Sequence, residues 1–178
     1  GNVNYKAENC YTTDAQVQGN TAATNSYMVT TNCYTSSTLA NATVANLGEA
    51  FKADLKAQNN GYPLLSWETE KEPFEGEGTE EKPYIIATAN DMVKLSVLTN
   101  GTATAADYAD KVYQLSADID MTGISYKPIS WATNMYTVQG AAFTGTLDGN
   151  NHIIKNISFT NLATYGSTYG IIGFISAN

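Results

Sequence analysis

The sequence contains no arginine, and its nine basic side chains, all lysines, are set against 17 acidic ones. The formal net charge is −8 at pH 7. Phosphate backbones are held by clusters of Lys and Arg, and base edges are read by Arg. A strongly acidic chain without arginine is therefore not expected to bind nucleic acid. Anionic membranes are excluded as partners for the same reason.

Histidine is almost absent, since His152 is the only one, and cysteine occurs twice. A zinc site with two histidines cannot be built from this chain, and two cysteines alone provide too few ligands for zinc. We expect His152 to be a structural, hydrogen-bonded side chain and not a general base.

Long hydrophobic runs are missing as well. No stretch approaches the about 18 consecutive apolar residues of a membrane-spanning helix. The chain begins at Gly1 without a signal-peptide pattern, so we expect a piece of a longer protein. Its low charged fraction of 15%, with abundant Thr, Asn and Tyr, favours an extracellular surface protein. No membrane insertion is expected in this segment.

A short repeat is present near the start of the chain: NCYT at residues 9–12 recurs at residues 32–35, 23 residues later. A period of this length, rich in Thr, Tyr and Val, is typical of one coil of a parallel β-solenoid. Cys10 and Cys33 would then lie on adjacent coils, about 4.8 Å apart. That spacing allows either stacked reduced thiols or a disulfide, and buried thiols are favoured because in-register neighbours often bond poorly.

The rest of the chain predicts two short amphipathic helices and an acidic linker. Apolar residues recur at helical spacing over residues 47–58, and Thr88 with Asp91 forms a capping box before a second helix over 88–99. Residues 68–83 are rich in Glu, Gly and Pro, as linkers are. The predicted organisation is the end of one β-helix array over 1–67, a linker over 68–83 and the start of a second array over 84–178.

The C-terminal part resembles a known repeat. Residues 143–157 read FTGTLDGNNHIIKNI, and residues 170–174 read GIIGF. These segments are similar to the GLUG repeat of bacterial surface proteins. The resemblance implies a mainly β fold, a right-handed parallel β-helix of the pectin-lyase-like solenoid type, with the two short helices as caps. It also implies large secreted or wall-attached parent proteins, among them some immunoglobulin A peptidases.

Two sets of side chains are candidate sites. Carboxylates of Asp118, Asp120 and Asp148 form the best acidic group, which would suit calcium or, as a pair, glycoside hydrolysis; turn capping is the structural alternative. Aromatic side chains form the candidate ligand-binding face, since aromatics beside Asn and Thr bind glycans and proteins, and its members are Tyr126, Trp131, Tyr136, Tyr165 and Tyr169.

Taken together, the sequence predicts a non-catalytic cell-surface adhesin, or a binding or structural repeat module, that presents a surface to a host or matrix protein or glycan. Immunoglobulin is one such ligand. The alternatives are a carbohydrate-active β-helix enzyme, either hydrolase or lyase, and an accessory module of a secreted peptidase. No cofactor is expected beyond calcium. Open solenoid ends would also favour head-to-tail self-association.

Overall fold

The computed structural model describes residues 4–12, 27–35, 37–134, 137–138, 140–159 and 170–176. The chain divides into two compact units. The first comprises Gly1–Asp54 and Tyr62–Thr69, and the second comprises Leu55–Gly61 and Glu70–Asn178. The acidic segment from Glu70 onward therefore belongs to the second unit.

The first unit contains the repeated segment as a pair of parallel strands, β1 (Asn4–Tyr11) and β2 (Tyr27–Tyr34). Cys10 pairs with Cys33 in the register, so the 23-residue repeat does place equivalent residues side by side. Both thiols are free and half-buried, less enclosed than the sequence suggested.

The predicted helix over residues 47–58 is wrong. The first unit instead has a 3-10 turn (Leu39–Asn41), a four-residue helix α1 (Val44–Leu47), and two short strands, β3 (Phe51–Lys52) and β4 (Leu64–Leu65). Thr43 caps α1, and Gly48 ends it with a φ of 87°, a backbone that suits glycine. Antiparallel pairing of β3 with β4 then replaces helical hydrogen bonds over this stretch.

The described residues of the second unit form two helices and nine short strands. The helices are α2 (Ala89–Asn100) and α3 (Ala105–Tyr108). In chain order the strands are β5 (Tyr84–Ile86), β6 (Val112–Leu115), β7 (Ile119–Asp120), β8 (Ser125–Tyr126), β9 (Ala132–Asn134), β10 (Thr137–Val138), β11 (Thr146–Asp148), β12 (Ile154–Lys155) and β13 (Ser158–Phe159).

In this unit, the stretch from β6 to β8 runs side by side and parallel with the stretch from β11 to β13. Strand β6 lies between β5 and β11, while β7 pairs with β12 and β8 with β13. Among the strands described in this unit, only β9 and β10 pair antiparallel. Isolated parallel bridges join Ile129 to Ile172 and Phe143 to Ile175.

The predicted right-handed parallel β-helix is not what the structure contains. Across both units the described strands form six separate sheets, five of two strands and one of three, beside three helices, which is a mixed fold without a regular solenoid. Most strands end after two to four residues because left-handed turn residues interrupt them, among them Gly123, Ser130, Asn150 and Asn156. The helices therefore do not cap a solenoid. The prediction of head-to-tail self-association rested on open solenoid ends, and without a solenoid it has no such basis.

The second helix agrees with its prediction. Helix α2 begins after Thr88, whose hydroxyl accepts a hydrogen bond from the backbone N–H of Asp91, while the Asp91 carboxylate accepts one from the backbone N–H of Thr88. This is a complete capping box. The helix places Met92, Leu95 and Leu98 in the core, each at most 1% exposed.

The core of the second unit is centred on the Tyr113 side chain, which is fully buried in β6. Its hydroxyl donates a 2.6 Å hydrogen bond to the carbonyl oxygen of Tyr108. The rings of Phe74 and Tyr84 lie 5.9 and 5.6 Å from its own. Phe74 comes from the acidic segment, so part of that segment packs on the core.

Gly145 allows β11 to approach the chain beside it, which yields a testable prediction. A Cβ atom at this position would lie 2.1 Å from the carbonyl oxygen of Lys111, closer than any real contact. Gly145→Ala should therefore lower the free energy of unfolding by about 1–3 kcal/mol. The measurement is urea unfolding followed by Trp131 fluorescence in a Trp67→Phe background.

Gly149→Ala is the matched control, because its nearest non-neighbour atom would lie at an ordinary 3.7 Å. This change should stay within about 0.5 kcal/mol. Equal unfolding midpoints for the two variants would contradict the close approach at Gly145.

Candidate functional site

Helix α2 carries polar side chains on one face of its last turns. Ser96, Thr99 and Asn100 have the i, i+3, i+4 spacing that places residues on a common face. The Ser96 hydroxyl donates to the carbonyl oxygen of Lys127 at 2.6 Å, and the Thr99 hydroxyl accepts from the backbone N–H of Ser130 at 3.2 Å. This polar face therefore fixes the turn over residues 127–131.

Asn100 makes the strongest set of these contacts. Its amide nitrogen donates to the carbonyl oxygens of Pro128 and Ser96 at 2.8 and 2.7 Å. Its amide oxygen accepts from the backbone N–H of Trp131 at 2.7 Å. One side chain thus satisfies backbone groups at both ends of the turn and fixes the position of Trp131.

A cavity of about 400 Å³ lies between this helix face and the chain leading into the turn. Its lining includes Gly61, Val93, Ser96, Val97, Asn100 and Lys127. This volume is within the range of small-ligand sites. We call it the Lys127 cavity.

Lys127 provides the charge of this cavity. Its ammonium group lies 4.3 Å from the centre of the Trp131 ring, within the range of a cation–π contact. Burial lowers the pKa of Lys127 below its usual range, since desolvation disfavours the charged form. Among the side chains that the structure describes, no carboxylate forms an ion pair with it.

Two polar atoms of the same turn are also buried. Within the described part of the chain, the Ser130 hydroxyl and the Trp131 indole nitrogen have no hydrogen-bond partner. An unsatisfied buried polar group costs free energy, so sites that carry such groups are often functional. The turn therefore combines a cation and two unused hydrogen-bonding groups.

The predicted ligand-binding aromatics have different surroundings. Trp131 belongs to the turn beside the Lys127 cavity. Tyr126 is 1% exposed, and its hydroxyl donates to the carbonyl oxygen of Ile171 at 3.2 Å, so it is mainly a core residue. Burial raises the pKa of Tyr126 above its usual range. Tyr136, Tyr165 and Tyr169 lie outside the described residues.

The three predicted carboxylates are exposed, and each bonds groups on its own or the neighbouring stretch of chain. Asp118 accepts from the backbone N–H of Ile153 and contacts the His152 ring, both at 3.2 Å. This also makes His152 a hydrogen-bonded side chain, as predicted. Asp148 accepts from the Asn150 backbone and from Gln114 at 2.8 and 3.1 Å.

Asp120 has the most hydrogen bonds of the three. It accepts from the hydroxyl and backbone N–H of Thr122 at 2.6 and 3.0 Å and from the Asn156 amide at 2.9 Å. These donors, the Thr122 hydroxyl first, lower the pKa of Asp120 well below its usual range. The backbone N–H of Ile153 and the His152 ring lower the pKa of Asp118. The Asn150 N–H and Gln114 lower that of Asp148.

No three His, Cys, Asp or Glu side chains among the described residues lie close enough together to hold a metal ion. The three aspartates instead join two stretches of chain 34 to 36 residues apart through Gln114, His152, Ile153 and Asn156. This arrangement is turn capping, the structural alternative for these residues.

Lys127 and the polar face of α2 were not predicted. The available signal was the spacing of Ser96, Thr99 and Asn100, three polar residues beside the apolar positions of a predicted helix. Lys127 gave no signal of its own, because its environment depends on contacts with residues about 30 positions away.

No family model matches the chain, and no solved structure matches it. A stretch of 105 residues is 33% identical to halomucin of Haloquadratum walsbyi (strain DSM 16790 / HBSQ001), covering 59% of this chain and 1% of that protein's length. None of the helices described above is long and apolar enough to cross a membrane.

Removing the Asn100 side chain tests the turn. Asn100→Ala leaves the Pro128 carbonyl and the Trp131 N–H without this partner, so the free energy of unfolding should fall by about 1–3 kcal/mol. Trp131 fluorescence, in a Trp67→Phe background, should also change because the ring loses its fixed position. Asn90→Ala, at an exposed site of the same helix, is the control. An unchanged emission spectrum for Asn100→Ala would contradict the positioning role.

The aspartate contacts predict a pH dependence. A carboxylate whose pKa is lower in the folded state than in the unfolded one stabilises the fold above about pH 4, and this stabilisation is lost as the pH falls towards the folded value. Asp120→Asn should therefore be less stable than wild type at pH 7, with a smaller difference at pH 3. Urea midpoints at both values measure this.

Glu80→Gln removes the same charge from an exposed position and controls for the change in net charge. A wild-type to Asp120→Asn difference that stays constant between pH 7 and pH 3 would be inconsistent with the capping role.

Proposed function

We propose that this chain is a non-catalytic module of a surface-type protein and that it binds an acidic ligand, an acidic glycan of host or matrix, at the Lys127 cavity. The observation that carries the proposal is the half-buried Lys127 ammonium, which lies on the Trp131 ring beside a cavity and has no carboxylate partner among the described residues. The halomucin match supports the surface class.

The chemistry of the cavity favours an anionic group on the ligand. A cation in a partly desolvated site attracts a carboxylate or sulfate more strongly than in water, since the effective dielectric constant is lower. Apolar side chains such as Val93 and Val97 line the cavity beside Lys127. Sugars combine polar or charged groups with apolar faces, so an acidic sugar fits this lining better than a purely apolar ligand.

Binding is favoured over catalysis because the best carboxylates are already engaged. Asp118 and Asp120 accept hydrogen bonds from neighbouring backbone and side-chain groups that keep them ionised, and their pKa values are lowered. A glycosidase acid needs the opposite, a raised pKa that keeps a proton at neutral pH. This supports a binding or structural module over a polysaccharide hydrolase.

The GLUG-like segment is consistent with the same class. Residues 143–157 resemble a repeat of large surface proteins, and in the structure this segment supplies β11 and β12, which pair with β6 and β7. We propose more specifically that the module belongs to an adhesin. It presents the Lys127 cavity to a ligand, and the acidic remainder of its surface is solvated.

An array of acidic glycans, neutral glycans and host proteins, immunoglobulins included, tests the proposal. Acidic glycans should be retained, and Lys127→Met should weaken their binding about tenfold or more, since the charge is lost while the side-chain length is kept. Lys82→Met removes one exposed cation that pairs with Glu77 and is the matched control. Equal loss in both variants would mean general electrostatics and would contradict a site at Lys127.

The same ligands test catalysis. Incubation of the purified protein with acidic and neutral polysaccharides should release no reducing ends and no unsaturated products. Turnover that disappears in Asp118→Asn or Asp120→Asn would overturn the non-catalytic assignment and favour the carbohydrate-active alternative. Retention of immunoglobulin alone, with no glycan bound, would replace the acidic glycan by a protein ligand.

A further inference from the structure

The two cysteines lie next to each other in the first unit. In the parallel pair β1 and β2, Cys10 stands opposite Cys33, and the next residues, Tyr11 and Tyr34, are paired as well. The two Sγ atoms are 2.6 Å apart. This Sγ–Sγ distance is close to the length of a disulfide bond, about 2.05 Å.

The backbone before each cysteine explains this proximity. Asn9 and Asn32 both have left-handed backbones, with φ of 50° and 52°, in strands that are otherwise extended. The Asn32 amide donates to the Asn9 amide oxygen at 3.1 Å. The two strands therefore bend alike before the cysteines, which keeps Cys10 and Cys33 in register.

We propose that Cys10 and Cys33 form an intrachain disulfide in an oxidising solution. The bond would close a loop that contains the segment from Tyr11 to Asn32 and would join β1 to β2 covalently. Adjacent strands are about 4.8 Å apart, which is within the Cα separation that disulfides accept. Among the described residues, the two cysteines belong to no group of three or more His, Cys, Asp or Glu side chains that could hold a metal ion.

A disulfide oxidant such as oxidised glutathione accepts the two electrons that the cysteines lose when the bond forms. The Cys33 thiolate attacks one sulfur of the oxidant, which forms a mixed disulfide and releases one glutathione thiolate. The Cys10 thiolate then attacks the Cys33 sulfur, forms the intrachain bond and releases the second glutathione. Two thiol protons and two electrons leave the protein, and two molecules of reduced glutathione result.

The order of attack follows from the surroundings of Cys10. Burial, with the neighbouring Cys33 thiol, raises the pKa of Cys10 to about 11. The thiolate is the reactive form, so Cys10 is a poor first nucleophile at neutral pH. It is, however, already in contact with the sulfur it must attack in the second step. The overall rate should therefore rise with pH.

The test uses the whole chain and a glutathione redox buffer. Oxidised wild type should lose both reactive thiols and two hydrogens in mass, remain monomeric, and recover both thiols with dithiothreitol. Closing a loop of this length should raise the Tm of the chain by roughly 10 °C. The Cys10→Ser and Cys33→Ser single variants should give only glutathione adducts or dimers, and the double variant should show no oxidant-dependent Tm.

Wild type that keeps two free thiols under the same treatment, or that forms only intermolecular bonds, would overturn the proposal. The mass and thiol measurements need no variant to fold. The outcome is also independent of the Lys127 cavity, which belongs to the second unit, so the binding proposal and the disulfide proposal can fail separately.

Discussion

Close parallel pairing around β6 is the constraint on which the second unit depends. The strand lies between β5 and β11. Its Tyr113 side chain is buried against the aromatic rings of Phe74 and Tyr84. Burial of a large side chain contributes about 2–3 kcal/mol, and favourable ring pairs add about 0.5–1.5 kcal/mol each. The pairing brings chain segments about 34 residues apart into contact, and Gly145 provides the space that this contact needs.

The candidate site is built on that core. Helix α2 packs its apolar face through Met92, Leu95 and Leu98, and this packing fixes the direction of its polar face. Because Ser96 and Asn100 are one turn apart, they reach both ends of the 127–131 turn at once. Core packing thus fixes the polar face of α2, and that face fixes the position of Lys127 over Trp131. Neither of these two side chains belongs to the apolar core.

Local signals in the sequence predicted local structure well. The capping box of Thr88 and Asp91 identified the start of α2, and the repeated NCYT segment identified the pairing of Cys10 with Cys33. Where two structures suit one pattern, the sequence did not decide. Leu47, Phe51 and Leu55 fit a helix, but Gly48 ends α1 and strand pairing of Phe51 outweighs the helical periodicity, which leaves Leu55 44% exposed.

Longer-range features were beyond the sequence for a different reason. Two Asp residues two positions apart on a strand suit a metal site and a turn cap equally well. Only the groups that their carboxylates contact distinguish the two roles. Thr122, one partner of Asp120, is two residues away, but Asn156, its other partner, and Ile153, a partner of Asp118, are about 35 residues away. The solenoid prediction failed similarly, since the parallel pairs exist but left-handed residues such as Ser130 and Asn156 keep them short and separate.

The energetics of Lys127 argue for a ligand more strongly than its position alone. Desolvation of the ammonium group destabilises the folded protein, and the lowered pKa records that cost. The Trp131 ring offsets about 0.5–2 kcal/mol of it. A methionine would cover the same apolar surface without the cost, because it has similar length and no charge. Among the described residues, this half-buried lysine pairs only with a ring and lies beside buried polar atoms without partners, which is a poor solution for stability. It is a good one for a site in which the anion of a ligand completes the electrostatics.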